Sequence, residues 1–109
     1  RAVFNFGVTY GTPRERLAEI PALVRAAVES QADTRFDRCH LLTFGPSSLD
    51  YEVVYFVTTA DFNRYADIQQ AVNLRLVDEF AAREIHFAFP TQTLVIERAG
   101  KAPVHATSK

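Results

Sequence analysis

Hydrophobic and polar positions in the first third of the chain predict a strand followed by a helix. Residues 2–8 are mostly apolar and predict the strand, and the sequence Thr-Pro-Arg-Glu at residues 12–15 predicts a helix start through a capping box. The helix is predicted to reach about Ser30, with Pro21 inside it. We expect a bend there, or two shorter helices, because proline cannot donate a main-chain hydrogen bond. Helical spacing predicts a buried face made of Leu17, Ile20, Val24, Ala27 and Val28.

The middle of the chain predicts an antiparallel hairpin. A polar link over residues 31–35 precedes a strand from about Arg38 to Phe44, and a longer strand runs from Leu49 to Thr58. The sequence Gly-Pro-Ser-Ser at residues 45–48 supplies the turn between them. The odd positions of the longer strand form one continuous apolar face: Leu49, Tyr51, Val53, Tyr55 and Val57.

The last third predicts a second helix and a further strand. The helix opens at Asp61 and runs from about Phe62 to Arg83, and a strand over residues 85–89 is ended by Pro90. Helical spacing predicts that the second helix buries Tyr65, Ile68, Ala71, Val72, Leu76 and Phe80. An extended segment over residues 91–97 precedes a polar tail.

This order of elements is βαββαβ with one trailing strand, which predicts an α+β, ferredoxin-like fold. In that fold an antiparallel sheet carries both helices on one face. We expect one domain over residues 1–90, a trailing strand over residues 91–98 and a disordered tail over residues 99–109.

Composition narrows the class of protein. The 109 residues, 48% hydrophobic and 23% charged, are typical of one globular domain. A net charge of -1 argues against a nucleic-acid partner. The single cysteine, Cys39, excludes an internal disulfide and fits a reducing compartment. The chain contains no methionine, so we expect that it derives from a longer protein whose membrane-spanning part, if any, precedes Arg1.

The residue types that could carry chemistry are not arranged as a site. Cys39 and His40 are neighbours on a predicted strand, so their side chains point to opposite faces. His86 and His105 have no partner at metal-ligand spacing. Ser48 follows a glycine, but the second glycine of a nucleophile elbow is missing and a strand follows. We therefore predict no catalytic residue, no metal ligand and no cofactor.

Two further pairs on the long strand have structural explanations. Asp50 and Glu52 share one face and mark its solvated end rather than a catalytic carboxylate pair. Tyr51 and Tyr55 share the other face and could stack bases in an RNA-binding domain of this fold. The basic and glycine-containing signature of those domains is missing, so packing in the core or between subunits explains the tyrosines better.

Four segments, in the right order and spacing, resemble the C-terminal cytosolic domain of channels of the mechanosensitive small-conductance (MscS) family. They are FGVTYGTPRERL (residues 6–17), FGPSSLDYEVVYFV (44–57), DFNRYADIQQAV (61–72) and IHFAFPTQTLVI (85–96). One departure is the sequence Arg83-Glu84, where the family usually has a glycine before the fourth strand.

The resemblance implies a cage domain of a tension-gated ion channel rather than an enzyme, active in osmotic stress. The parent protein would lie in the inner membrane as a homo-heptamer with this domain on its cytoplasmic side. Solutes would reach the pore through a vestibule between subunits, and an isolated fragment would be a monomer or weak oligomer. The resemblance implies inter-subunit contacts, around a small barrel, for Phe89, Pro90, Gln92, Thr93, Leu94, Val95 and Ile96. The residues themselves also allow residues 94–96 to fold back as a fifth strand of their own domain.

Two other functions remain open at the level of fold. One is a free-standing regulatory module that binds a small ligand or self-associates through its sheet. The other is an acylphosphatase-like hydrolase, for which the arginine-bearing phosphate loop is missing.

Overall fold

Three antiparallel strands and two helices make up the main body of the protein. The structure is a computed structural model that describes residues 1–88, 93–96 and 104–107. The elements are β1 (Ala2–Val8), α1 (Arg14–Glu29), β2 (Thr34–Phe44), β3 (Leu49–Val57), α2 (Phe62–Ala82), β4 (Thr93–Ile96) and β5 (Val104–Thr107). Among the described residues, none of the helices combines the length and the apolar character needed to cross a bilayer.

The sheet has the order β1-β3-β2, with β3 in the centre. Tyr51 of β3 lies opposite Phe6 of β1, and Val53 lies opposite Cys39 of β2. The central position explains the composition of β3, since Val53, Val54 and Tyr55 are completely buried. The predicted apolar face of this strand is confirmed, and its last member, Val57, is half-buried.

The first residues of β2 were predicted to be a polar link. The strand starts at Thr34 instead of Arg38 because Phe36 pairs with Tyr55 and anchors the polar stretch to the sheet. Two register irregularities, at Asp37 and at Leu42, interrupt the pairing of β2 with β3. Such bulges bend a strand and change which way its side chains face.

The predicted fourth strand is reduced to a single bridge in the described part of the chain. The bridge joins Val8 and Phe87, and main-chain bonds run from the Thr9 N–H to the His86 carbonyl (3.1 Å) and from the Ala88 N–H to the Gly7 carbonyl (2.8 Å). Residues 85–88 therefore lie beside β1, on the side away from β3. This spatial order agrees with the ferredoxin-like fold expected from the βαββαβ pattern.

The first helix starts differently from the prediction. Its N-cap residue is Pro13, without a side-chain cap, so the predicted capping box between Thr12 and Glu15 is wrong. The Thr12 hydroxyl instead donates to the Thr9 carbonyl at 2.8 Å and stabilises the preceding turn. Pro21 lies inside one continuous helix, which excludes the division into two shorter helices that was expected as the alternative to a bend.

The second helix agrees with its prediction at the N-terminus. Asp61 is the N-cap, and its carboxylate accepts a hydrogen bond of 2.9 Å from the Asn63 N–H. The helix ends at Ala82, one residue before the predicted Arg83.

Both helices pack on the same face of the sheet and enclose one hydrophobic core. The predicted buried positions are confirmed except that Leu17, Tyr65 and Ala71 are half-buried, and Leu23 is an additional buried residue. An aromatic group joins the sheet to α2: the Phe6 ring stacks on Tyr51 with centroids 5.2 Å apart and meets Phe80 edge-on at 5.6 Å. The Phe87 ring stacks on Phe80 at 4.8 Å and so holds residues 85–88 against the helix.

The C-terminal strands form a separate two-stranded sheet. Thr93 of β4 lies opposite Thr107 of β5, and Ile96 lies opposite Val104. The predicted trailing strand is thus present, but its partner is β5 rather than the main sheet. Residues 104–107 are a strand, where the sequence predicted a disordered tail.

Candidate functional site

The predicted inter-subunit residues are only partly described by the structure. Phe89, Pro90 and Gln92 lie outside the described residues. Residues 93–96 form β4, whose antiparallel partner in the single chain is β5. The structure therefore places four of the seven predicted residues on a strand.

The turn between β2 and β3 borders a groove of about 740 Å³ on the open face of the sheet. The Gly45 N–H donates to the Ser48 carbonyl at 2.7 Å, and the Ser48 hydroxyl donates to Asp50 Oδ1 at 2.5 Å. Both Gly7 and Gly45 approach this Ser–Asp pair so closely that a Cβ atom on either would lie 2.8 Å from it. The serine is therefore part of the turn and is held by a carboxylate, as turn chemistry predicts.

The cysteine and the histidines do not assemble into a reactive site. Cys39 is buried in the core, and burial raises the pKa of its thiol to about 12, so it stays protonated and unreactive. His40 is exposed on the other face of β2, which confirms that the two neighbours point apart. His86 is exposed beside β1, and the side chain of His105 lies outside the described residues. Within residues 1–88 no group of three or more His, Cys, Asp or Glu side chains could hold a metal ion.

Exposed apolar side chains gather at the end of β2, in a surface that we term the hairpin patch. Its members are Tyr10, Leu41, Leu42 and Phe44, with exposed fractions of 51%, 36%, 62% and 78%. The Tyr10 hydroxyl donates to the Gly45 carbonyl, which ties this ring to the turn. Periodicity did not reveal the patch, because the irregularity at Leu42 interrupts the alternation on which the prediction depends.

A second exposed apolar surface lies on α2, and we term it the α2 stripe. Leu74 and Val77 are 58% and 52% exposed, and they face away from the core residues Val72, Leu76 and Phe80 of the same helix. Their spacing of three residues places them next to each other on the helix surface. Phe62, at the start of α2, is also exposed and lies beside Tyr65 with ring centroids 6.0 Å apart.

Comparison with known proteins identifies the fold and its family. The family described as "Mechanosensitive ion channel MscS, C-terminal" matches residues 2–87, which include β1 to α2 and the bridge at Phe87. The chain belongs to the MscS family. Its match is to the C-terminal domain of that family, as the four segments of the sequence suggested.

Curated members of the MscS family align over most of this chain. The small-conductance mechanosensitive channel MscMJ of Methanocaldococcus jannaschii is 32% identical over 99 residues, which are 90% of this chain and 28% of the relative. The large-conductance mechanosensitive channel MscMJLR of the same organism is 31% identical over 99 residues, which cover 86% of this chain and 27% of the relative. An uncharacterized MscS family protein of Aquifex aeolicus is 29% identical over 105 residues, which cover 94% of this chain and 28% of the relative. The chain thus spans little more than a quarter of the length of these relatives.

The departure from the MscS-family pattern at Arg83-Glu84 has a structural counterpart. Glu84 has a φ of 57°, the left-handed conformation that usually requires glycine. Its N–H donates to the Ala81 carbonyl at 3.2 Å, and the Ile85 N–H donates to the Phe80 carbonyl at 2.9 Å. These two bonds form a Schellman motif, in which the residue at the position of Glu84 is usually glycine. In this chain that residue is glutamate.

Proposed function

We propose that this chain is the cytosolic cage domain of a tension-gated ion channel. The observation that carries the proposal is the match of the MscS C-terminal family to residues 2–87. Two aligned relatives are named mechanosensitive channels, and each is more than three times as long as the aligned region. The remaining length in the parent protein would supply the pore and the membrane-spanning helices.

In this proposal the domain forms part of the wall of a vestibule through which solutes reach the pore. The parent is a homo-heptamer in the inner membrane, with this domain on its cytoplasmic side. A protein cage needs a rigid wall, and the core described above provides one, since both helices and the sheet bury a continuous set of apolar side chains. The regulatory-module alternative has no observation in its favour.

The C-terminal strand is the proposed point of closure between subunits. Residues 93–96 adopt strand conformation and pair over their whole length with β5. In the channel, β4 would pair with β4 of neighbouring subunits in a closed barrel, and Phe89, Pro90 and Gln92 would lead into it. Closure would satisfy the main-chain groups of every strand without the need for β5.

The test is survival of hypo-osmotic shock. The complete protein that contains this chain would be expressed in a bacterial host without its own mechanosensitive channels, and single-channel currents would be recorded from membrane patches under suction. We expect rescue of survival and tension-dependent currents. Normal membrane insertion without rescue and without currents would refute the channel assignment.

A matched variant separates assembly from folding. Leu94→Asp places a charge in the proposed barrel strand, whereas Ala66→Asp places the same charge on an exposed position of α2. We expect Leu94→Asp to reduce the amount of assembled oligomer and Ala66→Asp to leave it unchanged. For the isolated chain we expect a monomer or weak oligomer in light scattering, since the pore that holds seven copies together is missing.

A further inference from the structure

We infer that β5 caps one edge of β4 in an unassembled subunit and is displaced when copies of β4 close the barrel. The inference rests on the proposed function, because the barrel is part of that proposal. It adds a contact within one chain that competes with assembly, and it gives residues 104–107 a role in controlling when the barrel forms.

The contact is a short antiparallel ladder between two strands of the same chain. β4 and β5 pair along their whole length, from Thr93 opposite Thr107 to Ile96 opposite Val104. Among the described strands, β4 is hydrogen-bonded to β5 and to no strand of the main sheet. One edge of β4 is therefore occupied in the single chain by a segment to which the channel proposal assigns no function.

Pairing with β5 is incompatible with a barrel built from copies of β4 alone. Alternate residues of a strand direct their main-chain N–H and C=O groups to opposite edges, so each strand has two edges to pair. In a closed barrel every strand uses both edges, because no edge remains free. The edge of β4 that β5 holds must therefore be released before a neighbouring copy of β4 can pair there.

In a separate subunit, the contact with β5 is favoured over a contact with another copy. Residues 97–103 join the two strands, and so short a connection keeps β5 near β4 at an effective concentration on the order of millimolar. Copies of β4 related by the rotation of a ring run in the same direction, and a parallel pair is slightly less stable per residue than an antiparallel one. Both differences keep β5 in place while the subunit is alone.

The same contact is weak enough to be displaced. A two-stranded hairpin is marginally stable at best in water, and this one has only four residues in each strand. Pro103 directly precedes β5 and has no N–H to donate, so it adds no donor to the ladder. Once the pore holds several copies of β4 together, pairing between copies also becomes intramolecular in effect and replaces β5. The barrel thus closes only after the rest of the channel has assembled.

A covered edge also protects the subunit before assembly. β4 has the sequence TLVI, which is apolar at three positions and carries no charge. An uncharged apolar strand with free edges is a template for pairing with strands of other molecules. By occupying one of the two edges, β5 reduces this hazard between synthesis and assembly.

The experiment compares disulfide formation between β4 and β5 in the separate 109-residue chain and in the complete protein in membranes. Cys39 is replaced by alanine, and any other cysteine of the complete protein is removed. Two double variants place cysteines at opposite positions of the ladder: Leu94→Cys/Ala106→Cys and Val95→Cys/His105→Cys. Hydrogen-bonded and non-hydrogen-bonded positions alternate, so one of the two pairs has the closer approach. The control Leu94→Cys/His105→Cys is one residue out of register, which places its cysteines on opposite faces.

Mild oxidation of the separate chain should give an intramolecular disulfide in at least one of the registered pairs and little in the control, as measured by mass spectrometry. In the assembled protein this disulfide should be largely lost, because β4 is paired with its copies and β5 is released. Absence of the disulfide in the separate chain would mean that the contact does not form. An equal yield in the assembled protein would mean that β5 stays beside β4 in the barrel. Either result overturns the inference.

A second measurement tests whether β5 opposes association. The variant His105→Pro/Ala106→Pro removes the N–H groups of two adjacent residues, one of which is directed to β4. Light scattering of the separate chain should show a shift towards higher mass, because an edge of β4 becomes free. The control Ser108→Pro/Lys109→Pro lies beyond the ladder and should behave as the wild-type chain does. A β5 variant that associates no more than this control would overturn the competition.

The shock-survival assay on the same cysteine variants, kept reduced, separates this inference from the channel proposal. Survival together with a disulfide that persists in the assembled protein refutes the release of β5 and leaves the channel function standing. Release of β5 in an assembled protein that neither rescues survival nor conducts refutes the channel function and leaves the inference standing.

Discussion

The hydroxyl group of Tyr51 donates a hydrogen bond of 2.8 Å to the main-chain carbonyl of Leu17. Leu17 lies four residues before Pro21, which has no N–H to donate to that carbonyl in the helix. Tyr51 itself is only 2% exposed, so its hydroxyl needs a partner inside the protein. The bond gives both the Tyr51 hydroxyl and the Leu17 carbonyl a partner, and it allows a proline within a continuous helix packed against the sheet.

Removing the hydroxyl should therefore cost more than the loss of one polar contact. We expect Tyr51→Phe to lower the free energy of unfolding by about 1–3 kcal/mol, because the Leu17 carbonyl loses its donor in a partly buried position. Urea denaturation followed by circular dichroism would measure the change.

A double-mutant cycle tests the role of the proline directly. In Pro21→Ala the new N–H can donate to the Leu17 carbonyl, so Tyr51→Phe should cost clearly less in that background than in the wild-type chain. Equal costs in both backgrounds would show that the Tyr51 hydroxyl does not compensate for the missing N–H of Pro21.

A second prediction concerns the end of α2. Glu84 adopts a φ of 57°, where its Cβ is strained by about 1–2 kcal/mol relative to a right-handed conformation. We expect Glu84→Gly to raise the free energy of unfolding by about 0.5–1 kcal/mol, after the greater freedom of glycine in the unfolded chain is taken into account.

The matched control is Glu84→Ala, which removes the carboxylate but keeps the Cβ. Thermal denaturation should show a higher melting temperature for the glycine variant than for the alanine variant. If alanine stabilises the protein as much as glycine, the charge of Glu84 and not its backbone conformation is responsible.

The sequence predicted elements best where a buried face repeats without interruption. The face of β3 and the core side of α2 are examples, because each has one side against the core along its whole length. The prediction was less accurate for β2, whose first residues are polar and whose two irregularities shift the alternation. An edge strand has a water-exposed side and an unpaired edge, so its sequence is less constrained by burial.

The exposed apolar surfaces were harder to predict than the core. The hairpin patch depends on the irregularity at Leu42 and on the turn at Tyr10, which are features of three-dimensional pairing rather than of periodicity. The α2 stripe is two apolar residues among polar ones, a pattern that is also found on ordinary exposed helices. Even the capping box at residues 12–15 failed, because the Thr12 hydroxyl bonds to the turn before the helix.

A third prediction uses two glycines in contrasting surroundings. A Cβ on Gly7 would lie 2.8 Å from Ser48 Cβ and 3.0 Å from Asp50 Oδ1, whereas a Cβ on Gly11 would have no neighbour within 4 Å. We expect Gly7→Ala to lower the free energy of unfolding by about 1–3 kcal/mol, because β1 and the turn before β3 would have to separate. Gly11→Ala should be neutral or stabilise the protein by up to about 1 kcal/mol through the unfolded state. Chemical denaturation of both variants would test this, and equal effects would contradict the close approach at Gly7.

The last prediction concerns the alkaline stability of the fold and the thiol of Cys39. Burial raises the pKa of this thiol from the ordinary value of 9.0 to about 12. As the pH rises through 9, the unfolded chain therefore releases its proton while the folded chain keeps it, and the free energy of unfolding must fall until the pH approaches 12. Burial also raises the pKa values of Tyr51 and Tyr55 from 10.0 to about 12, so they add to the same loss at slightly higher pH.

Replacing Cys39 isolates the contribution of its thiol to the loss of stability at alkaline pH. In Cys39→Ala the free energy of unfolding should fall less steeply between pH 8 and pH 10 than in the wild-type chain, and should still decline through pH 10 because the tyrosines remain. Denaturant unfolding at a series of pH values would measure both slopes. The native thiol should also react with a disulfide reagent at pH 8 far more slowly than the thiol of the denatured chain. Equal slopes in the two proteins below pH 10, together with rapid reaction of the native thiol, would mean that Cys39 is accessible to water in the folded domain.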